Sequence, residues 1–431
     1  MHDIVLDDSL VLNGDEYQAL SHYQDTFISD RVLKTPRWSM FGCIFQSVSH
    51  IPMAMHLLIA ISLMDLNQRS PRPAISVSVA RTHFRKGSEM LMQLMNLDSE
   101  PHHFSTLSSW FFLYLCVTHC DILNKGAVDK LSKTISNYIQ RYNLDSLSAG
   151  IKSEEEKFLA SAWQDPCLST EPGLIGRLLL FLASEDIRIG FEECGGHLTK
   201  HLFSSQGLYW RIFSQQRYIL ERYWGQSYPE FEVMHDLETT AAIELGHKVG
   251  LLIYKVNELS KKALEGAKAC DLDIEKEVIE TETQYSSILR ITRSSTAPRS
   301  HFLRAAEAAV INFYFVKLYY FRLTVSDYTE PTPPHIMLAM TELISMAHRA
   351  FRGQGHWGHE IFQLPLFMAG IETKDPIHVE WIISKLSTLQ VRFRTALSQI
   401  ILIQGQTGSR LSVAHIRQIL EGPAVLNAVV Y

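Results

Sequence analysis

The sequence predicts an all-α protein, a large irregular bundle of roughly 15 helices with no significant sheet. Apolar residues recur at spacings of three and four along most of the chain, and the alternating pattern of strands is hard to find. The chain has 431 residues, 46% of them hydrophobic, which is enough to bury a large core. Its 22 Gly and 15 Pro are too few for a fibrous or disordered protein.

The length favours one large helical domain over a string of small modules. We expect an acidic N-terminal tail at 1–15 and a single helical domain at 16–431. The alternative is two packed halves that meet near 166–172. No repeat of fixed period emerges, which argues against a regular solenoid. The acidic start of the chain is not typical of a secretory signal.

Helices are expected in the N-terminal half wherever the helical period continues between polar breaks. Pro52 begins the first long one, because a proline in the first helical turn removes no helical hydrogen bond. Polar, proline-bearing breaks follow at 67–73 and 98–103. The expected helices are 53–66, 75–97, one from Ser105, 127–143, 153–163, 173–190 and 207–224.

The C-terminal half is expected to contain four prominent helices, at about 234–269, 271–284, 308–323 and 376–403. The first has a long polar face. The second, 271–284, is acidic, and its pattern predicts a solvated helix, with a binding surface for a basic partner as the alternative. The last, 376–403, has apolar residues at spacings of four and three, which predicts one buried face.

The helix at 308–323 is apolar almost all round, so protein should surround it. Ordinary core packing is the first interpretation of this pattern. The alternative is a wall of a pocket for a small lipophilic effector, because aromatic walls with a few hydroxyl groups suit such sites.

Charge and cysteine usage restrict the function classes. The net charge is −6 and no basic run exceeds two residues, as in Lys261-Lys262, whereas a DNA-binding surface normally shows a basic stripe. The six cysteines contain no C-x-x-C, which favours reduced thiols in the cytosol or nucleus. They are Cys43, Cys116, Cys120, Cys167, Cys194 and Cys270. The apolar runs are too short to cross a bilayer, so we expect a soluble intracellular protein without membrane contact.

Three places have a pattern that could bind a metal. In the first, Cys194, His197 and His201 combine an i, i+4 histidine pair with a nearby thiol, although Leu198 replaces the glutamate that zincin chemistry needs. The alternative is a helix N-terminus behind a Gly-Gly turn. The second and third, His356 with His359 and Cys116 with Cys120, are weaker, and no metal or cofactor is predicted.

Enzyme signatures are missing at the sites where helical enzymes usually show them. Gly405–Arg410 lacks the spacing and lysine of a phosphate-binding loop, and no G-x-S-x-G occurs. A comparison with terpene synthases fails as well. Lys261 stands where a hydroxyl should follow Asn257 in their second metal motif, although Glu265 is suitably spaced. We therefore predict no catalytic, cofactor-binding or metal-binding residue.

The block from Leu364 to Leu386 resembles the C-terminal signature of the fungal-specific transcription factor domain. An apolar segment, Leu364–Ile371, is followed by a short polar turn, and a new amphipathic helix containing Trp381 begins behind Pro376. This family is the helical regulatory part of zinc binuclear cluster regulators.

Four further places resemble the same family in its usual order along the chain. They are Tyr17–Phe27, Ile51–Leu63, the segment Arg81–Lys86 around His83, and Leu178–Gly190 with Gly195 and Gly196 behind it. Each is mostly apolar helix, so the order of the segments carries the resemblance.

The resemblance implies a non-catalytic regulatory domain of a transcription factor in the nucleus, which controls RNA polymerase II transcription. Dimerisation with itself or a related regulator, and binding of a small lipophilic effector, are implied by the family. DNA contact belongs to a zinc cluster with C-x2-C-x6-C spacing, which is absent from this sequence. The alternatives are a stand-alone helical co-regulator that does not touch DNA, and a helical enzyme acting on lipophilic substrates.

Overall fold

The structure, a computed structural model, describes ten stretches of the chain. These are residues 14–69, 77–96, 101–119, 124–150, 170–204, 207–264, 272–294, 300–325, 331–352 and 359–422. Across these stretches there are 19 helices of six or more residues and no strand, which confirms the predicted all-α class. None of these helices is long and apolar enough to cross a membrane.

The helices are numbered here in chain order. The first ten are α1 Gly14–His22, α2 Met40–Val48, α3 Pro52–Arg69, α4 Val77–Met95, α5 His103–His119, α6 Lys125–Arg141, α7 Glu171–Ile189, α8 His197–Ser204, α9 Leu208–Gln215 and α10 Ile219–Trp224. The other nine are α11 Glu230–Leu264, α12 Leu272–Gln284, α13 Ser286–Ser294, α14 His301–Thr324, α15 Pro334–Arg352, α16 Gln363–Glu372, α17 Pro376–Leu389, α18 Val391–Thr407 and α19 Val413–Glu421. A π-helical turn at Tyr23–Phe27 and a short turn at Ile28–Arg31 continue α1.

The chain forms two compact units, Met1–Val233 and Met234–Tyr431. The expected division near 166–172 falls almost entirely outside the described residues and stays a prediction, as does the tail at 1–15. In the first unit α3 packs against α4 and α5, and α5 packs against α7. In the second unit α14 packs against α13, α15 and α16.

The sequence signals at helix starts have clear structural causes. Pro52 is the first residue of α3, as predicted. Ser300 caps α14, because its Oγ accepts a hydrogen bond from the Leu303 amide at 3.2 Å. Asp375 caps α17 in the same way, accepting from the Ile377 amide at 2.9 Å. Each cap supplies an acceptor that the first helical turn lacks.

Helix α14 is surrounded by protein, as its apolar sequence predicts. Its fully buried large side chains include Phe313, Tyr314, Phe315 and Tyr319. Helix α12 behaves differently: Ile274 and Val278 are buried while most of its acidic side chains are exposed, which confirms a solvated helix.

Two predicted helices are broken in the structure. The helix expected at 207–224 is divided into α9 and α10 by a turn at 216–218. The helix expected at 376–403 is divided at Gln390, whose backbone is extended with φ −149° and ψ 123°. Apolar spacing continues through this break, because Leu386 and Phe393 are buried on the two sides of it. The predicted helix 153–163 lies outside the described residues.

Candidate functional site

The segment with the strongest metal-like pattern is organised as a helix start. Helix α8 begins at His197 behind Gly195 and Gly196, which both have positive φ, +68° and +82°. The His197 Nε2 atom lies 3.1 Å from Asp129 Oδ1, whereas His201 Nε2 lies 3.0 Å from Asp145 Oδ2. Each histidine therefore pairs with a carboxylate on a different segment.

The cysteines of the metal-like patterns are buried and bonded to backbone. The Cys194 Sγ donates to the Ile189 carbonyl at 3.8 Å, and the Cys116 Sγ donates to the Leu57 carbonyl at 3.7 Å. Cys120, His356 and the side chain of His359 lie outside the described residues. Within the described part of the chain, no group of three or more His, Cys, Asp or Glu is placed to hold a metal ion.

Asp186, near the end of α7, is the centre of a buried network in the first unit. Its side chain is 1% exposed. Its Oδ1 accepts hydrogen bonds from Tyr114 Oη, Ser132 Oγ and the Gly196 amide at 2.7, 2.6 and 2.8 Å. Its Oδ2 accepts from the Thr199 amide and hydroxyl at 3.0 and 2.8 Å. The carboxylate thus joins α5, α6 and α7 to the first turn of α8.

The network around Asp186 explains the Gly-Gly turn. A Cβ on Gly195 would lie 2.8 Å from Asp186 Oδ1, so a side chain cannot be placed there without displacing the carboxylate. Burial raises the pKa of Tyr114 well above its ordinary value, and the Asp186 charge adds to this effect. The phenol therefore stays protonated and donates to the carboxylate.

Glu372, which directly follows the apolar segment Leu364–Ile371, is the centre of a second buried network. The Arg322 guanidinium donates from Nε to Glu372 Oε1 at 2.5 Å, and both side chains are fully buried. The Arg410 Nε lies 3.3 Å from Glu372 Oε2. One carboxylate on α16 therefore holds two guanidinium groups, one from α14 and one from the segment before α19.

Gln404 closes this network from α18. Its Oε1 accepts from Arg322 Nη1 at 3.3 Å and from the Leu411 amide at 3.1 Å. Its Nε2 donates to the Ile371 carbonyl at 3.2 Å. We call the set Arg322, Glu372, Gln404 and Arg410 the Glu372 cluster. It fixes the ends of α14, α16 and α18 to the loop that follows α18.

A second buried arginine, Arg417, contacts the aromatic helix. The Arg417 Nη1 donates to Ser260 Oγ at 2.6 Å, and Nη2 donates to Tyr319 Oη at 2.5 Å. Arg417 is 3% exposed and lies on α19, while Ser260 lies on α11 and Tyr319 on α14. The hydroxyl group of Tyr319, which the sequence offers as a handle for an effector, is thus bonded inside the second unit.

A histidine pair occupies the contact between α3 and α4 in the first unit. The His56 Nδ1 and His83 Nδ1 atoms are 2.9 Å apart, and His83 Nε2 lies 2.9 Å from Glu16 Oε1. Burial, together with the neighbouring His83 and Lys86 charges, lowers the pKa of His56 to about 4. Burial also lowers the pKa of His83, against the opposing effect of Glu16.

These networks organise helices, and most of their residues were not singled out by sequence reasoning. A signal existed for two of them, because Arg322 is a guanidinium near the end of an apolar helix and Glu372 directly follows an apolar segment. A charge in such a segment needs a partner when it is buried. The identity of the partner, 50 residues away, depends on the fold.

The same networks explain the structural role of the three segments whose sequence patterns had suggested a functional site. The Cys194–His201 segment is a helix start, the aromatic helix is core, and the signature block carries a buried ion cluster. Comparison with protein-family models, with curated proteins and with solved structures finds no match for this chain.

Proposed function

We propose that this chain is the regulatory domain of a fungal transcription factor and acts without catalysis. The observation that supports the proposal is the place of Glu372 in the second unit. This residue lies in the block that carries the family resemblance, directly after its apolar segment, and binds both Arg322 and Arg410. The signature residues therefore have a role in holding helices together.

The proposed mechanism is a change in the balance between two conformations of the second unit. Breaking the Glu372 cluster would release α14, α16 and α18 from one another. A buried charge that loses its partner is costly, so intermediate arrangements are disfavoured and two discrete states are favoured. A small lipophilic effector, or a related regulator bound as a dimer partner, would act by binding one of the two states better.

The proposal is tested by fusing the whole chain to an unrelated DNA-binding domain in a fungal reporter strain. We expect the fusion to raise or lower reporter transcription at least about fivefold relative to the DNA-binding domain alone, since couplings of this kind are typically 1–3 kcal/mol. Glu372→Gln should shift the output toward that of one state. Transcript level at equal fusion abundance is the measurement.

Glu380→Gln is the matched control, because Glu380 lies exposed on α17, eight residues after Glu372. It removes the same charge without touching the cluster and should leave reporter output unchanged. A wild-type fusion that matches the DNA-binding domain alone would contradict the proposal. Nuclear localisation of the full chain in a fungal cell is the accompanying expectation.

A second candidate function is a helical co-regulator that modulates a zinc-cluster relative without touching DNA. The net charge of −6 favours it, because this chain lacks the charge excess of a DNA-binding protein. Titration of the chain with labelled operator DNA at low and physiological salt tests this reading. Direct, salt-sensitive binding would reject it, whereas binding that requires the relative would support it.

A further inference from the structure

Helices α15 and α17, both in the second unit, meet at a small group of aromatic rings. The ring centroid of Trp381 on α17 lies 5.4 Å from that of His348 and 6.0 Å from that of Phe351, both on α15. The three side chains are half-buried, so part of each reaches the surface. The ring contacts therefore fix the side of α15 that bears His348 and Phe351 next to the side of α17 that bears Trp381.

Basic side chains surround these rings. The Lys385 ammonium lies over the Phe351 ring, 5.5 Å from its centroid. Arg352 directly follows Phe351 and is exposed. Burial, together with the charges of Arg352, Lys385 and His378, lowers the pKa of His348. The basic groups of the two helices are thus close enough to act on one another.

Acidic residues are scarce in the segments that carry these groups. From Leu343 to His359, and again from Trp381 to Leu420, the sequence contains no Asp or Glu. Just before α17, Asp375 Oδ2 lies 3.6 Å from His378 Nδ1, so His378 already has a carboxylate neighbour. The remaining basic groups form a local positive surface in a chain whose net charge is −6.

The single acid within each of the two helices lies away from that surface. On α15, Glu342 Oε1 lies 4.0 Å from Arg293 Nε, a group on α13. On α17, Glu380 is five residues before Lys385, which places it about 140° around the helix from that lysine. Arg352 and Lys385 are therefore the dominant charges of this surface.

The charge of the surface matches that of a phosphate monoester. Arg352 and Lys385 carry two permanent positive charges, while a pKa lowered from 6.5 keeps His348 mostly neutral at pH 7. A phosphorylated Ser or Thr carries a charge of about −1.5 to −2 at this pH, whereas an Asp or Glu carries a single negative charge. Arginine also binds phosphate oxygens through paired hydrogen bonds, and lysine binds them as a point charge.

We propose that Arg352 and Lys385, with His348 beside them, bind a phosphoserine or phosphothreonine side chain of a partner protein. Ile377, which is 75% exposed, lies one helical turn before Trp381 on α17 and provides an apolar contact for another residue of the same partner segment. A free phosphate ion would use the charges alone, so the second contact favours a peptide. This inference uses the second unit alone and is independent of the proposed transcriptional role.

The separation of the two contacts sets the design of the probe. Ile377 and Lys385 are eight residues apart on α17, which corresponds to about 12 Å along the helix. An extended peptide covers this distance in about four residues. The probe is therefore a labelled peptide with a central phosphoserine and a leucine about four residues away on each side, which serves either chain direction.

The test titrates the full chain with this peptide and with two otherwise identical peptides that carry serine or glutamate at the centre. We expect the phosphoserine peptide to bind at least about tenfold more tightly than the serine peptide, with the glutamate peptide between them. Its affinity should fall when salt is raised from about 0.05 to about 0.3 M. Fluorescence anisotropy gives the dissociation constants. A phosphoserine peptide that binds no better than either of the others would overturn the proposal.

A double variant tests the charged part of the surface. Arg352→Gln with Lys385→Gln should weaken binding of the phosphoserine peptide about tenfold or more and leave the serine peptide nearly unchanged. The matched control is Arg290→Gln with Lys276→Gln, which removes one arginine and one lysine from exposed positions on α13 and α12. It gives the same net charge and should leave both affinities as they are in the wild type.

A single variant tests the apolar part and separates a peptide from a free anion. Ile377→Ser should weaken the phosphoserine peptide about threefold or more. The affinity for inorganic phosphate, measured by competition with the labelled peptide, should stay the same. Leu402→Ser, at a leucine that is 62% exposed on α18, is the control.

Three further outcomes would overturn the proposal. Equal losses in the Arg290 and Lys276 control would show that the peptide binds elsewhere. Inorganic phosphate that binds as tightly as the peptide would make a free anion the occupant. Single-stranded DNA of about ten nucleotides that binds more tightly than the peptide, and that loses affinity in the Arg352 and Lys385 variant, would make a nucleic acid the occupant. Unchanged far-UV circular dichroism of each variant confirms that folding is intact.

Discussion

Asp186 in the first unit and Glu372 in the second are both buried carboxylates, but their partners differ in charge. Asp186 accepts hydrogen bonds from hydroxyl groups and backbone amides, three of them on α8 or the turn before it. Glu372 binds two guanidinium groups. Both carboxylates join segments that are far apart in sequence, but the first does so through uncharged donors and the second through charged ones.

This difference determines what happens when each carboxylate is lost. Uncharged donors that lose an acceptor are left with unmade hydrogen bonds, each costing a few kcal/mol at most. Buried guanidinium groups that lose a carboxylate keep a charge in a poorly solvated site, which is more costly. The Glu372 cluster is therefore the more sensitive of the two, and it is the more suitable for an all-or-none change.

Glu372→Gln should give the largest effect. It leaves the fully buried Arg322 without its counter-charge, so we expect a loss of about 3–5 kcal/mol in the free energy of unfolding. Chemical denaturation followed by circular dichroism is the measurement. A loss below about 1 kcal/mol would contradict the assignment of Glu372 as the anchor of the cluster.

Replacing both charges provides the control for this prediction. Arg322→Met combined with Glu372→Leu removes the buried pair and leaves apolar groups of similar length. We expect the double variant to be clearly more stable than the sum of the single losses predicts, because the two fully buried charges are both removed and Arg410, which loses its carboxylate partner, is partly exposed. Additive losses would show that the two side chains do not interact strongly.

Asp186→Asn should have a smaller effect, about 2–3 kcal/mol. Asparagine keeps the shape of the side chain, but its amide presents hydrogen atoms to donors that need an acceptor. Glu185→Gln is the neighbouring control, since Glu185 pairs with the partly exposed Arg188 and should cost well below 1 kcal/mol. Equal losses at the two positions would show that Asp186 is no more important than a surface carboxylate.

The sequence was sufficient for the helical class and for most helices, because apolar spacing follows directly from helix geometry. It predicted the burial of α14 correctly. It missed the break at Gln390, because apolar spacing continues across an extended residue. The pairing of Arg322 with Glu372 could not be predicted, since local patterns do not show which distant segments meet. The partners of the two histidines of α8 could not be predicted for the same reason, since they lie on α6 and on the helical turn Leu144–Ser148.

Gly195→Ala tests how closely the chain approaches Asp186. We expect a loss of about 2 kcal/mol, from the positive φ and from the 2.8 Å approach of the new Cβ to Asp186 Oδ1. Gly207→Ala is a matched control, because Gly207 has φ +82° and nothing within 4 Å of the added Cβ. It should cost about 1 kcal/mol, from backbone conformation alone. Equal losses would show that the carboxylate moves aside easily.

A third carboxylate, Glu16, has a histidine partner, His83, whereas Asp186 has uncharged donors and Glu372 has arginines. The comparison therefore extends to a partner whose protonation changes with pH. His83 lies between Glu16 and His56, and burial with the nearby Lys86 charge lowers the pKa of His56 from about 6.5 to about 4. The unfolded chain therefore binds a proton at a higher pH than the folded chain does. Stability from the neutral imidazole is present above pH 6.5 and is lost as the pH falls toward 4.

His56→Gln should remove the dependence of stability on pH that arises from His56, and its expected effect is the smallest of these predictions. Between pH 7 and pH 5 we expect the variant to lose about 1 kcal/mol less stability than the wild type, a value reduced for the partial exposure of His56. Denaturation at a series of pH values measures the difference, and His50→Gln, on the exposed turn before α3, serves as the control. If the His56→Gln and His50→Gln variants both keep the wild-type dependence of stability on pH, the acid sensitivity of the first unit arises elsewhere. The histidines next to Glu16 would then add no pH dependence that the uncharged partners of Asp186 lack.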